Sequence, residues 1–64
     1  MCEATAYILN KDGQEQLLLA DVDVIEPQVD GTTRLVSIYG EQKVLKARIK
    51  SMSLVNHKVV LAQD

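Results

Sequence analysis

Aromatic side chains are almost missing from this sequence: Tyr7 and Tyr39 are present, with no phenylalanine and no tryptophan. A core must therefore be aliphatic, and stacking platforms of the kind that small β modules offer to single-stranded nucleic acid are scarce. Cysteine occurs once, at position 2, which excludes an intramolecular disulfide. Histidine also occurs once, as His57, so no histidine pair can hold a metal within one chain. No stretch approaches the roughly 20 apolar residues that a membrane-spanning helix needs. No basic head followed by an apolar run marks a signal peptide. A lone thiol of this kind fits a reducing compartment, and the expected location is cytoplasmic.

Catalytic signatures are lacking too. There is no glycine-rich phosphate loop and no serine-centred nucleophile elbow. Asp21 and Asp23 are the one close carboxylate pair, and two residues apart on a strand they share a solvated face. His57, between Asn56 and Lys58, reads as a surface residue in a turn. The chain is not expected to be an enzyme.

What is present is a single small domain, residues 1–64, in which 47% of the side chains are apolar. A chain of this size buries only about 60% of the surface its unfolded form exposes. With many Val, Leu and Ile residues in so short a sequence, apolar surface should remain on a monomer, and a homodimer is expected to cover it. The net charge of −2 is unevenly placed: through Gly31 seven acids face Lys11 alone, whereas from Thr32 onward six bases face Glu41 and Asp64. Such asymmetry marks either a partner surface or two halves that pair with each other.

Turn signals recur at regular intervals. Asn-Lys-Asp-Gly at Asn10–Gly13 and Asp30-Gly31 within Glu26–Gly31 supply the positive φ that tight turns require. Gly40 breaks the chain a third time and Asn56-His57 a fourth. Between them the pattern predicts strands at Ala4–Leu9, Glu15–Ile25 (bent or split near Ala20), Thr33–Tyr39, Gln42–Lys50, Met52–Val55 and Lys58–Ala62. A helix competes for Gln42–Ser51, because Lys, Leu, Ala and Arg are good helix formers. The strand is preferred because it gathers Lys46, Arg48 and Lys50 on one side, opposite Leu45, Ala47 and Ile49. The expected fold is all-β, a small antiparallel curled sheet or barrel of about six short strands, of the SH3-like or OB-like kind.

Two surfaces could then carry function. The Lys46, Arg48 and Lys50 face could meet phosphates, making the protein a small RNA-binding β-barrel module. The scarcity of aromatics and the acidic net charge weigh against nucleic acid, and pairing with Asp21, Asp23 and Glu26 accounts for the stripe equally well. The second is Cys2. An α-amine has an ordinary pKa of about 7.7–8.0 and a thiol of about 8.5, so a soft divalent cation can displace a proton from each near neutral pH. If Met1 is removed, amine and thiolate belong to one residue and close a five-membered chelate. If Met1 stays, its amine, the deprotonated Cys2 amide and the thiolate can line up. Either donor set mixes nitrogen with thiolate and tends to planarity, which suits Ni(II), with copper as a competitor and zinc less favoured. The alternative is that Cys2 is a small buried hydrophobe on the Ala4–Ile8 face.

The Met-Cys start, the strand ending in Asn-Lys-Asp-Gly, the segment Leu19–Pro27, the long run from Leu35 to Leu61 and the total length together resemble the CooT family. Its members are small nickel-binding accessory proteins linked to maturation of nickel-dependent carbon monoxide dehydrogenase. The resemblance covers essentially the whole chain. It implies a β-rich homodimer holding one Ni(II) between its subunits through the second-position cysteine, which is Cys2 here. It implies a nickel enzyme or its maturation factors as further partners. Family relatives have also been labelled as predicted RNA-binding proteins. Hydrogenase-maturation chaperones of another β-barrel family share the Met-Cys start, but they follow it with a Pro-Gly segment that this sequence lacks.

Overall fold

The computed structural model describes residues 3–63. Within them the chain forms six strands: β1 (Ala4–Leu9), β2 (Glu15–Pro27), β3 (Thr33–Ser37), β4 (Gln42–Leu45), β5 (Arg48–Ser53) and β6 (Lys58–Ala62). They make one sheet in the order β4-β3-β2-β1-β6-β5. Every neighbouring pair is antiparallel except β1 and β6, which run parallel from Thr5 beside Lys58 to Leu9 beside Ala62. The sheet is all-β and not closed into a barrel. The chain crosses from one edge strand, β4, to the other, β5, through Lys46 and Ala47 alone. The sheet must curl for those edges to approach each other.

Local chemistry sets the turns. Asn10 caps the first hairpin: its side-chain carbonyl accepts from the Asp12 and Gln14 amides at 3.0 and 2.9 Å. Gly13 takes φ +82°, a conformation closed to most residues with a Cβ. The β2–β3 turn repeats the device, with the Asp30 carboxylate accepting from the Thr32 hydroxyl at 2.7 Å and its amide at 3.1 Å.

The expected bend near Ala20 is present. Asp21 has φ +55°, and the β1–β2 register slips between Ala4 paired with Val22 and Ala6 paired with Leu19. A second slip lies between Val22 and Val24 on the β3 side. Bulges of this kind sharpen twist, so β2 serves β1 with its first half and β3 with its second. They also break the simple alternation that put Asp21 and Asp23 on a common face.

Four strands differ from the sequence expectation, the first being that β2 runs on to Pro27 instead of ending at Ile25. The third strand stops at Ser37 because the Ser37 hydroxyl accepts from the Tyr39 and Glu41 amides and turns the chain. The predicted strand Gln42–Lys50 is two strands: the Ala47 amide donates to the Leu45 carbonyl at 3.0 Å, a three-residue turn centred on Lys46. Met52 belongs to β5, and Leu54–His57 is turn rather than strand. The basic stripe is broken accordingly. Lys46 stands at the corner, Arg48 opens β5, and Lys50 is the extra residue of a bulge between Ile49 and Ser51.

The core is aliphatic, as the composition requires. Ala6, Leu19, Val22, Leu35, Ala47, Val59 and Leu61 are buried together, with Ala4, Ile8, Leu18, Ile25, Leu45 and Ile49 packed against them. Tyr7 lies on the other face of β1, beside Leu17, with the Lys58 ammonium 5.2 Å from its ring centre.

Candidate metal centre

At one end of the curled sheet the core opens into a groove of about 270 Å³. Ala4, Val22, Ile25, Met52 and Val59 give it an apolar lining, and Glu3, Asp23 and His57 stand among its polar residues. Its lining comes from β2, β1, β6 and β5, four successive strands of the sheet. Beside it the β5–β6 turn presents Leu54 and Val55, 80% and 89% exposed, and Met52 is 51% exposed. Part of the predicted apolar excess gathers at this end, while Leu17, Val29, Tyr39 and Val44 are exposed elsewhere.

The same turn is tied to the start of β1. The Thr5 amide donates to the His57 carbonyl at 2.8 Å, opening the parallel ladder. His57 Nδ1 lies 3.2 Å from the Glu3 carbonyl oxygen. The His57 backbone has φ +51°, and its amide donates to the Leu54 carbonyl at 3.3 Å, closing the turn. Histidine is among the residues that tolerate this left-handed conformation more readily than most. The ring is thus carried by a closed turn, anchored by backbone and side chain to Glu3 and Thr5.

Cys2, the residue singled out for metal binding, lies outside the described residues; in the chain it directly precedes Glu3. Among the described residues no group of three or more His, Cys, Asp or Glu side chains is placed to hold a metal ion. A metal centre here needs the thiol and nitrogen donors of the amino end. A thiolate combined with backbone nitrogen is a donor set whose chemistry suits Ni(II). Sequence reasoning treated His57 as an ordinary turn residue. Its link to Glu3 spans 54 positions and depends on parallel pairing that no local pattern announces.

Other charged residues are arranged for structure. The Glu15 carboxylate accepts from the Lys58 ammonium at 2.6 Å, and this hydrogen bond holds Lys58 above its ordinary pKa. Glu26 pairs with Arg34 at 3.3 Å. The hydroxyl and amide of Thr32 hold the Asp30 carboxyl below its usual value. Lys46 and Arg48 line a separate hollow of about 480 Å³ with Gly31, Ala47 and Gln63, which Lys50 does not join. Lys46, Arg48 and Lys50 are all exposed and alternate with Leu45, Ala47 and Ile49 as expected, but the corner at Lys46 and the bulge at Lys50 interrupt the strand that carries them.

Comparison with known proteins agrees with this architecture. The model of the family described as CO dehydrogenase accessory protein CooT matches residues 1–62. The fold is similar to a crystal structure from Carboxydothermus hydrogenoformans provisionally assigned as CooT, with a TM-score of 0.86 and 43% sequence identity over 98% of each chain. No curated protein matches the sequence. The matched family is one of accessory proteins rather than catalysts, in keeping with the lack of catalytic signatures. A family match over nearly the whole length, joined to the same fold at 43% identity, decides the assignment: this chain belongs to the CooT family of CO dehydrogenase accessory proteins.

Proposed function

We propose that this protein is a cytoplasmic nickel metallochaperone that holds Ni(II) through Cys2 at the interface of a homodimer and supplies it for assembly of CO dehydrogenase, a nickel enzyme. The observation that carries this reading is the conjunction of family membership with a single cysteine that in sequence directly precedes Glu3, a residue lining an apolar groove. In a reducing compartment that thiol stays available to a soft cation. As cargo, nickel would be gripped by the Cys2 thiolate and backbone nitrogen of the amino end.

The dimer follows from surface physics. Met52 and Leu54 line the groove at the end of the sheet where β1 begins, and Val55 is exposed next to Leu54 in the turn. A second copy placed over this end would cover the largest apolar residues of the turn and bring two amino ends together, so that two thiolates share one ion. Both signs of charge are present at this end, with Glu3, Asp23 and Lys58 all lining the same groove.

The test is addition of Ni(II) to the reduced protein at fixed pH, followed by absorbance and calorimetry. The reading predicts a sulfur-to-nickel charge-transfer band that disappears, together with tight binding, in Cys2→Ala. Undiminished affinity in that variant would refute the site.

A further inference from the structure

The two edges of the sheet meet at one corner: β4 ends at Leu45, Lys46 and Ala47 turn the chain, and β5 opens at Arg48. Two adjoining hollows lie at this corner. The larger, about 480 Å³, is lined by Gly31, Lys46, Ala47, Arg48 and Gln63. The smaller, about 180 Å³, shares Gly31, Ala47 and Arg48 with it, and there Pro27 and Ile49 supply an apolar wall. One lobe therefore offers two cations, and the next offers aliphatic surface.

The fold holds these walls in place. The Ala47 amide donates to Leu45 O at 3.0 Å, and the Ala47 carbonyl accepts the buried Thr33 hydroxyl at 2.7 Å. On the facing turn the Gly31 amide donates to Gln28 O at 3.3 Å. A Cβ on Gly31 would stand 3.7 Å from Lys46 Cε, so the lysine stem lies along that turn. Asp30, the acid that feels the Lys46 charge, has its carboxylate already bonded to the hydroxyl and amide of Thr32. Lys43 and Lys50, both exposed, extend the positive field along the two edge strands.

Three chemical demands meet here. The cations ask for anionic groups, the apolar lobe asks for an aliphatic side chain, and the open sheet edges ask for an extended main chain. Nucleic acid answers only the first, since Tyr7 and Tyr39, the sole aromatic residues, line neither hollow. An extended peptide answers all three when its acidic and aliphatic residues lie two places apart and so point the same way. We infer that this corner is a docking site for such an acidic-aliphatic segment of another protein. The site stands apart from the nickel reading: β6 leaves the apolar groove at Lys58 and Val59, and Gln63, just past its other end, lines the larger hollow. A partner held at the corner leaves the groove end uncovered.

The experiment adds the peptide Glu-Thr-Glu-Thr-Val-Thr, blocked at both ends, to the full chain at low ionic strength and follows backbone nitrogen-15 correlation spectra. The expected result is saturable shifts centred on Gly31, Ala47, Arg48, Ile49 and Gln63, with binding that weakens as salt rises. Lys46→Gln should weaken it about three- to fivefold, and Lys46→Gln combined with Arg48→Gln about tenfold. Lys50→Gln, outside both hollows, should change it by less than about twofold. Two altered peptides test the same points without touching the protein: glutamine in place of glutamate, and serine in place of valine, should each bind more weakly. No shifts at low salt, or equal binding of the glutamine peptide, overturns the inference. Displacement of the peptide by an equal concentration of inorganic phosphate overturns it in favour of a simple anion site. Tighter binding of oligouridylate to the same residues overturns it in favour of nucleic acid.

Discussion

The Thr33 hydroxyl donates a buried 2.7 Å hydrogen bond to the Ala47 carbonyl, joining β3 to the corner at which the chain leaves one sheet edge for the other. Thr33→Val keeps the side-chain shape and strands the carbonyl without its partner. The expected loss is about 1–3 kcal/mol, the usual range for a buried polar group left unsatisfied. Urea unfolding should show a lower midpoint with the slope unchanged.

Core and groove residues should separate cleanly. Leu35 is fully buried in the aliphatic cluster, and Leu35→Ala should cost about 2–5 kcal/mol through lost burial and a residual cavity. Leu54→Ser, on the exposed turn, should alter monomer stability by less than about 0.5 kcal/mol. It should nonetheless weaken self-association, seen as a lower dimer fraction in sedimentation at matched concentrations. A dimer unaffected by Leu54→Ser would place the interface elsewhere.

Two surface contacts predict opposite pH dependences. The bond from Glu15 raises the Lys58 pKa above its ordinary 10.5, so protonated Lys58 favours the fold. That contribution is complete below about the unfolded value and is lost as pH climbs through the raised one. Thr32 lowers the Asp30 pKa from its ordinary 3.8, so its contribution is present above that value and is lost as pH falls through the lowered one. Lys58→Met should therefore flatten only the alkaline limb of the stability profile, and Asp30→Asn only the acid limb. Unfolding midpoints across the pH range check both.

Nucleic acid offers a further test. The strand carrying Lys46, Arg48 and Lys50 is interrupted by a corner at Lys46 and a bulge at Lys50, and the net charge of the chain is −2. Single-stranded RNA should cause no salt-sensitive mobility shift. A shift that weakens with added salt and on replacing Lys46, Arg48 and Lys50 would contradict this.

The turns at Asn10–Gly13 and Asp30–Gly31 were legible in the sequence because their cause is local: an acceptor side chain followed by a residue able to adopt positive φ. The bend in β2 was legible as a strand too long to serve a single neighbour. The corner at Lys46 was not, since Val44–Ala47 continues an alternating pattern without glycine or proline, and Thr33 and Leu45 close it through contacts made only in the folded chain. The apolar Leu54–Val55 pair looked like strand for the same reason, although its side chains are exposed. Cys2 could be singled out from its residue type alone. The placement of His57 against Glu3 could not, because parallel pairing joins segments more than fifty residues apart and leaves no periodic trace.

Native mass spectrometry of the nickel-loaded protein, beside Cys2→Ala, tests the central claim most directly. The account predicts a dimer carrying one nickel ion, with no nickel retained by the variant. One nickel on each isolated chain, or a variant that loads as fully as wild type, would contradict it.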